Sequence, residues 1–161
     1  LIDNGYDIGN HTYTHVNFRN VDTTRSQQEV GQMYQLLDEY IKGKYVNIVA
    51  LPFGSPGTLE HTNFPYILSG SYNGIDYKTI SCLRVGWEAD YSPYSKTFNK
   101  QFIKRIRAYD NNGVEFDIEA NFNNLESNRY ISDGSIYNIV VNEKDKDFVN
   151  NEYNLNLVTI K

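Results

Sequence analysis

The chain has 161 residues and a formal net charge of −5, with 40% hydrophobic, 14% aromatic and 22% charged residues. This composition describes a folded globular chain and excludes a disordered one, and about 150 residues suffice to bury about 68–70% of the unfolded surface. No dense Lys/Arg run stands out, so nucleic acid and anionic membrane surfaces are set aside as partners. No stretch approaches the roughly 18–20 apolar residues of a membrane span.

Leu1 to Asn4 read as the last turn of a helix, with Gly5 as the left-handed residue just past it. Tyr6 to Asn10 alternate apolar and polar side chains and predict a strand. His11 and His15 follow directly, so both imidazoles can turn toward one point at the strand's carboxyl end. Neutral imidazole suits Zn and its first-row neighbours, and that end of a strand is where α/β folds keep their ligands. In an arbitrary soluble chain the same spacing is more often two polar surface residues. A zinc-protease reading fails outright, because Thr12 stands where its general-base Glu belongs.

Asp22 to Lys42 turn helical: Thr23 or Thr24 can cap, and Val30, Met33, Tyr34, Leu37, Tyr40 and Ile41 recur at spacings of three and four. Gly43 closes the helix, and Tyr45 to Leu51 read as a continuous apolar strand of the kind parallel sheets bury. Leu51-Pro52-Phe53-Gly54-Ser55-Pro56-Gly57 is then a turn on the same rim as the two histidines. Asn63 to Gly74 predict a helix ending at Asn73-Gly74, and Tyr77 to Val85 a strand. Cys82, the only cysteine, falls in that apolar run and reads as a buried small hydrophobe. The loop from Gly86 to Pro93 carries the only tryptophan, Trp87, a residue type that more often packs in a core than lines a cleft. Phe102 to Ala108 predict a strand, Glu119 to Leu125 a short helix, and Tyr137 to Val141 and Leu155 to Ile160 two further strands. The charged segment from Asn142 to Asp147 is expected as a solvated loop. Fourteen tyrosines suit sugar contacts and half-buried strand positions about equally.

The stretch from Gly5 to His15 resembles the second motif of the polysaccharide deacetylase (NodB-homology) domain, carbohydrate esterase family four: a histidine, a Ser or Thr, two residues and a second histidine. The resemblance implies that His11 and His15 ligate a divalent metal, zinc in the family's usual form, together with an aspartate from a Thr-Phe-Asp-Asp motif. That motif does not occur in these residues. The turn after Ala50 is similar to the family's third motif, Arg-x-Pro-Tyr or Arg-x-Pro-Phe, with Ala50 in the arginine's place. Pro52 and Phe53 are retained, which implies that the Phe53 N–H stabilises the oxyanion of a tetrahedral intermediate, with Pro52, Gly54 and Trp87 lining the sugar cleft. The fourth motif, Asp-x-x-Asp-Trp, is not matched around Trp87. The fifth, Leu-x-His, has no counterpart, since His61 lies far upstream.

By this resemblance the fold is α/β, an incomplete distorted (β/α) barrel, and residues 1–161 form the C-terminal portion of a single deacetylase domain. The chain opens at Leu1 without an initiator Met, so a fragment is expected, inactive alone and either dimeric or associated with its N-terminal portion. The implied activity of the parent protein is metal-dependent removal of acetyl groups from an N- or O-acetylated polysaccharide such as peptidoglycan or chitin oligomers, at the cell surface or in secreted form. Ala50 and the unmatched motifs favour the alternative, a non-catalytic carbohydrate-binding or structural module on the same fold; a bare metal-binding module ranks third.

Overall fold

The computed structural model describes residues 1–86, 89–108, 112, 118–126, 133–153 and 155–160. They form two compact units, one of Leu1–Gly86 with Gln101–Arg105 and one of Trp87–Lys100 with Ile106–Lys161.

In the first unit a 3₁₀ turn over Ile2–Asn4 ends at Gly5 (φ 81°), as expected of a chain that needs a left-handed residue there. Helix α1 spans Thr23–Ile41. Its cap is Asp22, one residue earlier than the expected threonines: the carboxylate accepts from Arg25 N at 2.7 Å and satisfies an amide that the first turn leaves unpaired. The helix closes through Lys42 (φ 48°), whose N–H reaches Asp38 O, so Gly43 is the second left-handed residue and not the first. Val30, Tyr34 and Leu37 are buried as the periodicity predicts, but Tyr40 is 75% exposed. The buried stripe runs through Ser26, Val30, Tyr34 and Leu37, and Tyr40 lies one residue short of its continuation at Ile41.

Strands β1 (Ile48–Ala50), β4 (Ser81–Val85) and β5 (Phe102–Arg105) make a parallel sheet in the order β1-β4-β5, with Val49 opposite Cys82 and Cys82 opposite Phe102. The expected strand from Tyr6 to Asn10 survives as a parallel bridge between Asn10 and Val49. Val46 N donates to Ile8 O, Asn10 N to Ile48 O and Ala50 N to Asn10 O, so residues 8–10 run along the free side of β1. Helices and parallel strands bear out the α/β class, but no closed barrel is formed among the described residues. The core gathers Phe18, Val30, Tyr34, Leu37, Val49, Leu51, Phe64, Ile67, Tyr77 and Cys82, which joins α1 to β1 and β4. Cys82 is fully buried, as expected.

The region from Asn63 to Gly74 departs from its predicted helix. Helix α2 covers only Phe64–Leu68, and β2 (Ser69–Tyr72) then pairs antiparallel with β3 (Ile75–Lys78). Asn73 (φ 50°) and Gly74 (φ 76°) are both left-handed, the two-residue hairpin turn that Asn-Gly favours because its twist matches that of the flanking strands. The run from Tyr77 to Val85 is therefore split between β3 and β4, in different sheets. The hairpin packs closely on α1, where a Cβ at Gly31 would stand 2.5 Å from Tyr72 Cβ.

In the second unit, α3 covers Ile118–Leu125, and β6 (Asn138–Asn142) pairs in parallel with β7 (Asn156–Ile160). The charged segment expected as a loop forms a 3₁₀ turn over Glu143–Phe148, with Lys146 Nζ 2.5 Å from Glu143 Oε1. Trp87 lies outside the described residues.

Candidate metal centre

The loop that leaves the Asn10 bridge is held from several sides. Asn10, only 1% exposed, donates through Nδ2 to Val30 O at 3.0 Å and accepts Thr12 N on Oδ1 at 2.8 Å. Tyr13 N donates to Glu29 O at 3.1 Å. Thr14 gives both its N–H and its Oγ1–H to the carboxylate of Glu29, each at 2.7 Å, and Arg25 Nη2 lies 2.6 Å from the same carboxylate. Thr12 (φ 65°) and His15 (φ 59°) are left-handed non-glycine residues. Each such conformation costs about 1–3 kcal/mol and persists only where the surroundings over-determine it.

This loop places the two imidazole rings 4.8 Å apart between centroids, at an interplanar angle of 79°. His11 Nδ1 lies 2.6 Å from Ala50 O. Since the carbonyl can only accept, Nδ1 carries a proton, and in the neutral ring Nε2 then keeps the lone pair, the arrangement by which a second-sphere group presents a histidine to a metal. Both rings are exposed to solvent.

Phe53 completes the cluster: its ring centroid is 4.8 Å from that of His15, edge to face at 74°. Pro52 starts the 3₁₀ turn Pro52–Gly54 and is buried, while Phe53 is left-handed (φ 57°, ψ 11°) and 66% exposed. Gly54 (φ 65°) is pressed onto the end of β4, where a Cβ would lie 3.0 Å from Val85 O. Left-handed backbone and close approach both require glycine at that position. Ala50 contributes its carbonyl to His11, with no guanidinium from that position.

The structure thus brings His11, His15 and Phe53 together on the carboxyl rim of the sheet, with Pro52 and Gly54 in the supporting turn. His61 is spent locally, its Nδ1 accepting from Asn63 N at 3.2 Å. Among the described residues no group of three His, Cys, Asp or Glu side chains converges as a metal site. Two neutral imidazoles are donors of the kind a divalent metal takes, and they would supply two of the roughly four positions of a zinc shell. The buried Thr12 Oγ1, which has no hydrogen-bond partner, adds a polar atom left over in the same loop.

Glu29 and Asn10 did not emerge from the sequence as part of this site. A signal for Glu29 existed: it is a carboxylate inside the apolar stripe of α1, 0% exposed, and a charge on a buried face requires a partner. No curated protein and no solved structure matches the chain. Residues 1–63, a span that holds His11, His15, Pro52 and Phe53, match the family model described as Polysaccharide deacetylase, consistent with a partial deacetylase domain.

Proposed function

We propose that this rim is the histidine half of a metal-dependent deacetylase site acting on an acetylated polysaccharide, N-acetylated glycans such as chitin oligomers or peptidoglycan first among them. The observation that supports this most directly is the His11, His15 and Phe53 cluster, with His11 Nδ1 tied to Ala50 O so that Nε2 faces away from the protein carbonyl. His11 and His15 would hold the metal, zinc by preference for such nitrogen donors. When bound, zinc polarises the amide carbonyl and lowers the pKa of a bound water toward about 7.

The chain's own residues then have defined tasks. Asn10 and Glu29 fix the loop that carries the two imidazoles. Pro52 and Gly54 set the turn that presents the Phe53 N–H, which donates to the developing oxyanion. The exposed Phe53 ring offers an apolar face for the acetyl methyl group or the sugar ring. The third ligand and the general base would fall to two separate carboxylates outside these residues, aspartates of the family's Thr-Phe-Asp-Asp type. A polymer of the cell wall would place the protein at the cell surface or outside the cell.

A second reading has its own support: Ala50 lacks the guanidinium that would orient such a base, and the described residues supply no third acidic ligand. A carbohydrate-binding module on the deacetylase fold would look the same here. Acetate release from chitin oligomers, peptidoglycan and acetylated xylan, with and without a chelator, separates the two. Chelator-sensitive release that disappears in His11→Ala is the expected result for a protein carrying the whole domain. Saturable glycan binding with no acetate from any of the three polymers would establish the binding module instead.

A further inference from the structure

We infer that Glu29, backed by Arg25, is a positioning residue for the histidine pair: its carboxylate fixes the peptide immediately before His15 and thereby the direction of that imidazole. This inference rests on the metal reading proposed above.

A glutamate without solvent exposure must spend its two oxygens on hydrogen bonds, and here both accept from Thr14 of the loop, with Arg25 of the same helix beside Oε1. Oε2 accepts Thr14 N and Oε1 accepts Thr14 Oγ1, each at 2.7 Å. Arg25 Nη2 lies 2.6 Å from Oε1 and 3.1 Å from Thr14 Oγ1, which closes a ring of three groups around one residue of the loop. The backbone oxygen of the same Glu29 also takes Tyr13 N, so two consecutive loop amides are anchored to one helical residue. The next residue is His15, in the left-handed region at φ 59°. With residues 13 and 14 fixed, the ring 4.8 Å from that of His11 has little freedom to swing away. A carboxylate serving stability alone could pair with Arg25 at helical i,i+4 spacing and go no further; this one also spends both oxygens on the loop. Groups that orient metal ligands typically change affinity by about 10–100-fold when altered, and the lower end applies because Glu29 acts through the backbone.

The test is calorimetric titration of the chain with Zn²⁺, well below the unfolding midpoint of every variant. Wild type should bind and His11→Ala should not. Glu29→Gln, which cannot accept from all three donors, and Thr14→Val, which removes the hydroxyl's bonds to Glu29 and Arg25 and leaves the Thr14 amide in place, should each weaken binding about 10-fold. The double variant should lose no more than about the larger single effect, because both changes break one clamp. Leu37→Ala, a cavity in the core away from the clamp, should lower the unfolding midpoint and leave Zn²⁺ affinity unchanged. Wild-type affinity in Glu29→Gln overturns the assignment, as does an equal loss in Leu37→Ala, which would mean that any loosening of α1 suffices. Should Glu29→Gln fail to fold, Thr14→Val decides by the same criteria. Equal titration of wild type and His11→Ala would instead remove the metal reading, and the role of Glu29 with it.

Discussion

His11 donates from Nδ1 to the backbone carbonyl of Ala50 across 2.6 Å, so the residue standing in the place of the family's arginine acts through its main chain. A backbone acceptor is indifferent to the side chain. The neutral His11 ring should therefore be found as the Nδ1–H tautomer in ¹⁵N-correlated NMR spectra, in the wild type and equally in Ala50→Ser. A predominant Nε2–H form would contradict the geometry and would remove the free nitrogen offered to a metal.

Asn10 links the end of the first bridging segment to the middle of α1 by donating to Val30 O and accepting from Thr12 N. Asn10→Ala leaves a buried amide without its acceptor and opens a small void. A loss of about 1–3 kcal/mol is expected, the cost of abandoning a buried polar group. Urea denaturation at unchanged m-value measures it, and a loss below about 0.5 kcal/mol would mean that the loop does not depend on this side chain.

Gly31→Ala tests the contact between α1 and the β2–β3 hairpin. By helix propensity alone alanine should stabilise by about 1 kcal/mol. The added methyl would stand 2.5 Å from Tyr72 Cβ and 3.1 Å from the Tyr77 ring, so overpacking should prevail and destabilise by about 1–3 kcal/mol. A stabilised variant in thermal or urea melts would show that the hairpin is not held against this face.

The buried hydroxyl and thiol groups predict an alkaline limit. Burial pushes the Cys82 thiol from its ordinary 9.0 up to about 12 and the Tyr34 phenol from 10.0 up to about 12. Burial raises Tyr77 as well. The folded chain keeps these protons to higher pH than the unfolded chain does. Their stabilising contribution is therefore fully present below the unfolded values and is lost as pH rises toward the folded ones. Urea midpoints should be level to about pH 8.5 and fall above it. In Cys82→Ala the decline should begin later, near the tyrosine value, and be shallower. A midpoint that does not change between pH 8 and pH 11 would mean that these groups are not shielded as the structure has them.

The sequence by itself determined what depends on neighbours along the chain. Helix α1 was legible because apolar residues recur every three or four positions, and β1 because a short apolar run follows a glycine. The His11 and His15 pair was legible because its spacing and its place after a strand are local facts, as was the Pro52-Phe53-Gly54 turn. Only the tertiary structure decided the rest, because it depends on residues that meet across the fold. Local alternation could not show that the run from Tyr77 to Val85 serves two sheets, since the break at residues 79–80 is set by pairing with β2 on one side and with β1 and β5 on the other. Nor could spacing place Phe53 against His15, which lies 38 positions away (53 − 15) in the chain and 4.8 Å away in space. Glu29 is the plainest case: its place in the stripe of α1 and Arg25 four residues before it are local facts, but only the folded loop supplies the two Thr14 donors that allow a carboxylate to be buried there.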